Sequence, residues 1–387
     1  MDLRSRWLRL GRSLVPALVA VLGVTSAASA GPSAVGQSAG IVPNGTTPPE
    51  WAWAVDTVPS ADSIPTLGPN YGGNSAGATN AISRLGAGWY RVTLAHVGAP
   101  NGNVLVSALS SHPRFCLPDT WTETGSAPTD ETVDVRCYDK TGLPSNTRFI
   151  VNWLSATDVG GRLGYANNWS PTSGSSAAAY QYDSFGGTIS VWPASSGNAE
   201  LHIPYLGSYR GTVQVSATAH LRTDPETTTS VGFCDLVTFH SFIGDQSDHD
   251  ELVAAHCFNL PVDTSGIYRE HNVWFMQGLG MKGFGGSNVA YLWANRPIAG
   301  SYTPDIHYSY SSPSGAINVT RLGIGRYSVL LNGMPKGGSA QVTAFGTEPR
   351  HCTISSIAYS TPQKVGVRCF DAAGVAQDSK FTLAYAR

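Results

Sequence analysis

Charge is scarce in this chain. Asp, Glu, Lys and Arg make up 13% of its 387 residues, about half the share usual in soluble domains, and the net charge is −2. Nucleic acids and anionic membrane surfaces call for clustered Lys and Arg, so neither is expected as a partner. No Cys-x-x-Cys pair occurs, and the six cysteines fall two to each third of the chain, which disfavours zinc. Beyond the first thirty residues no apolar run is long enough to cross a bilayer, so no retained membrane span is expected. No long stretch carries a helical period.

What is present begins with an export pattern. Arg4, Arg6, Arg9 and Arg12 precede a short apolar run from Leu14 to Val24, and Ala28-Ser29-Ala30 supplies small residues at a cleavage position. That order describes a secretory signal peptide over residues 1–30, and it predicts a released extracellular protein. Residues 31–50 are rich in Gly, Pro, Ser and Thr without hydrophobic period, and they read as a flexible leader.

The strongest organising signal is self-similarity. Arg84-Leu85-Gly86-Ala87-Gly88-Trp89-Tyr90-Arg91-Val92 returns as Arg321-Leu322-Gly323-Ile324-Gly325-Arg326-Tyr327-Ser328-Val329. Cys137-Tyr138-Asp139 returns as Cys369-Phe370-Asp371, and Phe149 as Phe381. A looser copy lies between, with Thr212 to Ala217 leading to Cys234 and then Cys257-Phe258-Asn259. Cys116, Cys234 and Cys352 are 118 residues apart, too long a period for a solenoid and suited to tandem domains. The chain therefore divides into repeat 1 over 51–156, a divergent repeat 2 with insertions over 157–286, and repeat 3 over 287–387. Of the fifteen possible pairings, the repeat selects Cys116–Cys137, Cys234–Cys257 and Cys352–Cys369, one disulfide per copy. Separations of 21, 23 and 17 residues make each worth roughly 3 kcal/mol of loop closure, and export supplies the oxidising compartment.

Within the third copy, apolar residues alternate at Tyr327, Val329 and Leu331, at Val365, Val367 and Cys369, and at Phe381, Leu383 and Tyr385. Period two with β-branched and aromatic residues, broken by Gly, Pro and Asn, describes half-buried strands. The expected fold is all-β: three tandem antiparallel β-sandwich-like repeats, with a small barrel as the alternative for each.

The third copy, and less closely the first, resembles a group of secreted bacterial repeat proteins. It carries that resemblance in Tyr291-Leu292-Trp293-Ala294, Tyr302-Thr303-Pro304, Gly325 to Val329 and Cys369-Phe370. The resemblance implies export and repetition, and assigns no catalytic residue or cofactor.

Four features are candidates for chemistry. Gly73-Asn74-Ser75-Ala76-Gly77 fits a hydrolase nucleophile pattern but follows a Gly/Pro/Asn stretch where a buried strand is needed, and reads as a polar loop. Gly278-Leu279-Gly280-Met281-Lys282-Gly283 fits a dinucleotide fingerprint without a βαβ context, and reads as a linker. Asp245, Asp248, His249, Asp250 and Glu251 form the densest acidic group, and with His240 and His256 they raise Ca²⁺ or a transition metal as a use, against a solvated loop tip. Of the nine tryptophans after the signal segment, eight lie in the first two copies, and only Trp53 matches one in the third, Trp293. Trp89 aligns with Arg326 in an outward register, which makes it the candidate ligand-stacking residue.

These readings favour a secreted, monomeric or weakly associating binding or adhesion protein for an extracellular glycan or protein, with no catalytic residue, metal or cofactor assigned. A hydrolase with its site between copies one and two, and a structural extracellular component, are the alternatives.

Overall fold

Period-two alternation becomes strand over more than half of the described residues. The computed structural model describes residues 50–156, 161–168, 176–193, 198–208, 210–219, 231–245, 248–260 and 270–387. The signal-peptide and leader readings, apart from Glu50, lie outside the described residues. The described residues fall in one compact unit.

The first nine strands are β1 Glu50–Val55, β2 Ser63–Ile64, β3 Gly72–Asn74, β4 Ala81–Gly86, β5 Trp89–Leu94, β6 Asn103–Ala108, β7 Arg114–Thr124, β8 Asp130–Asp139 and β9 Phe149–Ser155. The next nine are β10 Arg162–Asn168, β11 Ser176–Ala177, β12 Ala179–Asp183, β13 Ser190–Pro193, β14 Asn198–Ile203, β15 Thr212–Ala217, β16 Gly232–Asp245, β17 Asp248–Asn259 and β18 His271–Gln277. The last nine are β19 Val289–Ala294, β20 Ser301–Tyr302, β21 Ser309–Ser311, β22 Ile317–Gly323, β23 Arg326–Leu331, β24 Ser339–Phe345, β25 His351–Ile357, β26 Gln363–Phe370 and β27 Lys380–Ala386.

Strand orders recur nine strands apart. The four-stranded sheets β3-β1-β9-β6 and β12-β10-β18-β15 match the run β24-β27-β19-β21 read backwards. The five-stranded sheets β2-β4-β5-β8-β7 and β20-β22-β23-β26-β25 match the run β11-β13-β14-β17-β16. A single parallel bridge, Leu236 to Phe345, joins the last two runs into a nine-stranded sheet.

Each four-stranded layer packs on a five-stranded layer through the inward residues of both. In the first, Val104, Val106 and Val151 meet Tyr90, Val92, Val133 and Val135 in one buried cluster. The cores do not stop at the repeat boundaries. Phe115, Leu117 and Tyr138 complete the middle core, while Trp53, Val55, Leu109 and Ile150 complete the last. A fourth cluster unites Leu105, Leu154, Tyr165, Trp274, Tyr291 and Ala384 from all three thirds.

The contacts between thirds close a ring. The Val106 N–H donates to Ser216 Oγ at 3.3 Å, Val215 N–H to Thr343 Oγ1 at 2.9 Å, and Val342 N–H to Ser107 Oγ at 3.3 Å. Beside them, Ser110 N–H reaches the Ile354 carbonyl at 2.7 Å, Gly346 N–H reaches Leu236 at 2.9 Å, and Ala219 N–H reaches Pro118 at 2.8 Å. Edges that would otherwise leave backbone groups unmade are thereby satisfied by the neighbouring third.

All three expected disulfides are present: Cys116–Cys137, Cys234–Cys257 and Cys352–Cys369. Each links residues directly opposite on neighbouring strands, β7 with β8, β16 with β17, and β25 with β26.

Candidate functional site

Among the described residues, three of the four exposed aromatic side chains lie in the middle third, and the fourth is Tyr359. Along β13, Val191 is buried, so its neighbours Ser190 and Trp192 point the other way, onto the outer face of the five-stranded layer. Trp192 is 49% exposed. Its indole N–H donates to Ser190 Oγ at 3.2 Å, and its ring lies 5.2 Å from that of His202 on β14. One face is thus supported and the side chain is fixed in orientation.

Two more aromatics stand at the end of the same strand pair. Phe185, 54% exposed, sits in the turn after β12, and Tyr205, 46% exposed, in the turn after β14. Arg162 joins them: its guanidinium lies 5.2 Å from the Phe185 ring centre, and Nη1 donates to the Tyr205 and Gly207 carbonyls at 3.0 and 3.2 Å. Beneath this surface, Asp183 Oδ1 accepts the Phe185 N–H at 2.8 Å. Burial pushes the Asp183 carboxyl up to about 7, against the Phe185 hydrogen bond and helped by the nearby Asp250 charge. Asp250 itself accepts the Tyr205 N–H at 3.2 Å. The two turns are therefore pinned by carboxyl groups, and both rings stay about half exposed.

The acidic group is a hairpin tip. Asp245 ends β16 and is paired with Asp248 at the start of β17. Within it, Asp250 and Glu251 go to different partners. Glu251 is fully buried, accepts the Ser208 N–H at 3.2 Å, and is pushed by burial up to about 8. The one grouping of metal-ligating types among the described residues is Cys234, Cys257 and His271, and its two cysteines are already joined in a disulfide.

Trp89 is half-buried at the start of β5, and the Arg136 guanidinium covers it at 3.8 Å from the ring centre. Arg136 is held there by Asp119 at 2.9 Å. Trp53, Trp153 and Trp274 are fully buried, and Trp293 packs among Tyr308, Phe345 and Phe239. Gly73 and Asn74 end β3, and Ser75 Oγ accepts the Trp51 N–H at 3.0 Å. Gly278 to Phe284 is a 3₁₀ turn that buries Met281 and Phe284 in the shared cluster.

Sequence reasoning passed over Trp192, Phe185, Tyr205 and Arg162. The signal available was local: in Ser190-Val191-Trp192 and Leu201-His202-Ile203 the apolar residues alternate inward, which leaves Trp192 and His202 on one outer face. No family model, curated protein or solved structure matches this chain.

Proposed function

We propose that this is a secreted, non-catalytic binding protein that takes a glycan on the outer surface of its middle third. One observation carries the reading: Trp192 on β13 and Phe185 and Tyr205 in the turns beside β13 and β14 are half exposed and held by hydrogen bonds or ring contacts. Sugar rings present apolar faces that stack on such side chains, while Arg162 and His202 offer polar groups at the edge. Low charge fits a neutral polymer better than a charged one. The N-terminal export pattern and three disulfides support an extracellular setting.

Titration with soluble cell-wall polysaccharides tests this by intrinsic fluorescence and calorimetry. Trp192→Ala is expected to weaken binding about tenfold or more and to leave the melting temperature within a degree or so, because the side chain is exposed. Binding unaffected by both Trp192→Ala and Phe185→Ala would sink the assignment to this surface. Release of reducing ends that Asp183→Asn abolishes would favour a hydrolase instead.

A further inference from the structure

We infer that the cavity where the three thirds meet is a binding site for a small monovalent carboxylate, of the size of formate or acetate. The cavity is about 60 Å³ and is lined by the ends of β6, β15 and β24 and the starts of β7, β16 and β25. On the measure by which one water needs roughly 10–15 Å³, it holds several waters or one small organic ion.

Its wall repeats every 118 residues, and the repeat isolates what is unusual. Phe115, Phe233 and His351 occupy equivalent positions, and their rings contact one another at 5.3, 4.2 and 5.5 Å between centres. Two thirds carry a hydrocarbon ring there, and the last carries an imidazole. His351 is 6% exposed, and neither ring nitrogen has a hydrogen-bond partner. At the equivalent positions Leu117, Asp235 and Thr353, only the middle third carries an ionisable group. Asp235 is 1% exposed; its Oδ2 accepts the Arg350 N–H at 2.9 Å, and its Oδ1 has no partner.

Two orphaned polar groups on one small cavity cost stability unless something enters to satisfy them. Burial alone holds the imidazole neutral, near 3, and burial raises the Asp235 carboxyl well above its ordinary value against the hydrogen bond and charge of Arg350. The neutral imidazole therefore keeps an N–H donor on the cavity, beside a carboxyl oxygen that has no partner. Arg114 adds the positive charge. It lines the same cavity, and its strand partner Asp139, which accepts from Thr141 and Leu143, also feels its charge. A carboxylate entering there meets the Arg114 charge and two buried polar groups without partners. The serine and threonine hydroxyls of the ring are engaged with backbone groups of the neighbouring third, so they shape the cavity without competing for its occupant.

The test uses the full chain and two probes of equal size, sodium formate and its neutral analogue formamide. The readout is the His351 ring signal in proton–nitrogen correlation spectra, assigned by its loss in His351→Phe. That substitution installs the residue both other thirds carry, and Asp235→Leu the residue of the first third, so both variants are expected to fold. Formate is expected to shift the His351 signal saturably, with formamide at least about tenfold weaker and Arg114→Gln weakening formate by a similar factor. Formate is also expected to raise the melting temperature of the parent and to lose that effect in His351→Phe and Asp235→Leu. Equal binding of formamide, or a formate effect that survives His351→Phe, overturns the proposal. So does the absence of any saturable shift below about 100 mM formate, the region where linkage to folding becomes negligible.

Discussion

Gly88 and Gly325 show how a repeated word maps onto backbone geometry. Both have φ near +60°, at +63° and +61°, and both give their carbonyl to the N–H of the second cysteine of a pair, Cys137 or Cys369. A Cβ at either position would stand 2.4 Å from that cysteine's carbonyl oxygen. Gly325→Ala is therefore expected to cost about 2 kcal/mol or more, read as a lower urea midpoint with unchanged slope. Two positions on, the Tyr90 and Tyr327 hydroxyls donate to the Pro59 and Pro297 carbonyls at 3.0 and 3.1 Å, which closes the strand onto the preceding loop. A second residue-scale pattern was invisible in the words. Glu131, Glu251 and Gln363 occupy the same register position, opposite Leu94, Ile203 and Leu331, and all three are buried. Burial pushes both Glu131 and Glu251 up to about 8, helped for Glu131 by the charge of Glu123. A carboxyl raised in the folded state stabilises fully below its unfolded value, near 4.5, and that contribution is lost as pH rises toward 8. Denaturation midpoints are thus expected to fall between pH 5 and pH 8.5, and Glu131→Gln, which copies Gln363, is expected to recover roughly 1–3 kcal/mol at the upper end. A flat profile in the parent would contradict this.

At the scale of elements, the paired cysteines do local work. Each disulfide staples two antiparallel strands that already face each other at a Cα separation of 4.0 or 4.1 Å. The double substitution Cys352→Ala with Cys369→Ala is expected to cost about 3 kcal/mol while the strand signal in far-UV circular dichroism persists. Non-reducing peptide mapping of the parent checks the pairing directly. The acidic hairpin illustrates a limit at the same scale. Asp250 and Glu251 are adjacent in sequence, yet strand alternation sends Glu251 inward and Asp250 to the Tyr205 backbone. Sequence proximity on a strand separates side chains to opposite faces, whereas proximity on a helix turn gathers them.

At the scale of the whole molecule, the thirds lean on one another. Trp53, Val55, Leu109 and Ile150 fill the core of the last third, and the ring hydrogen bonds tie every third to both others. A fragment from Ser287 to Arg387 would leave that apolar surface open. It is expected to aggregate or to lack a cooperative melt, while residues 50–387 melt in one transition by calorimetry. A sharp, reversible transition in the fragment would show that the borrowed side chains are dispensable.

The sequence by itself determined the strands, the cysteine pairing and the positions of the recurring turns. These follow from alternation, spacing and the few residues that tolerate a left-handed backbone, all of them local. It also carried the 118-residue period, since Cys116, Cys234 and Cys352 stand at that spacing. What only the tertiary structure decided is which equivalent positions face each other. Trp89 and Trp192 both point outward by alternation, but Arg136 reaches across to cover the first and leaves the second bare. His351 and Asp235 are far apart in sequence, and their lack of partners is a property of the closed ring, because only there does burial remove the water that would otherwise satisfy them.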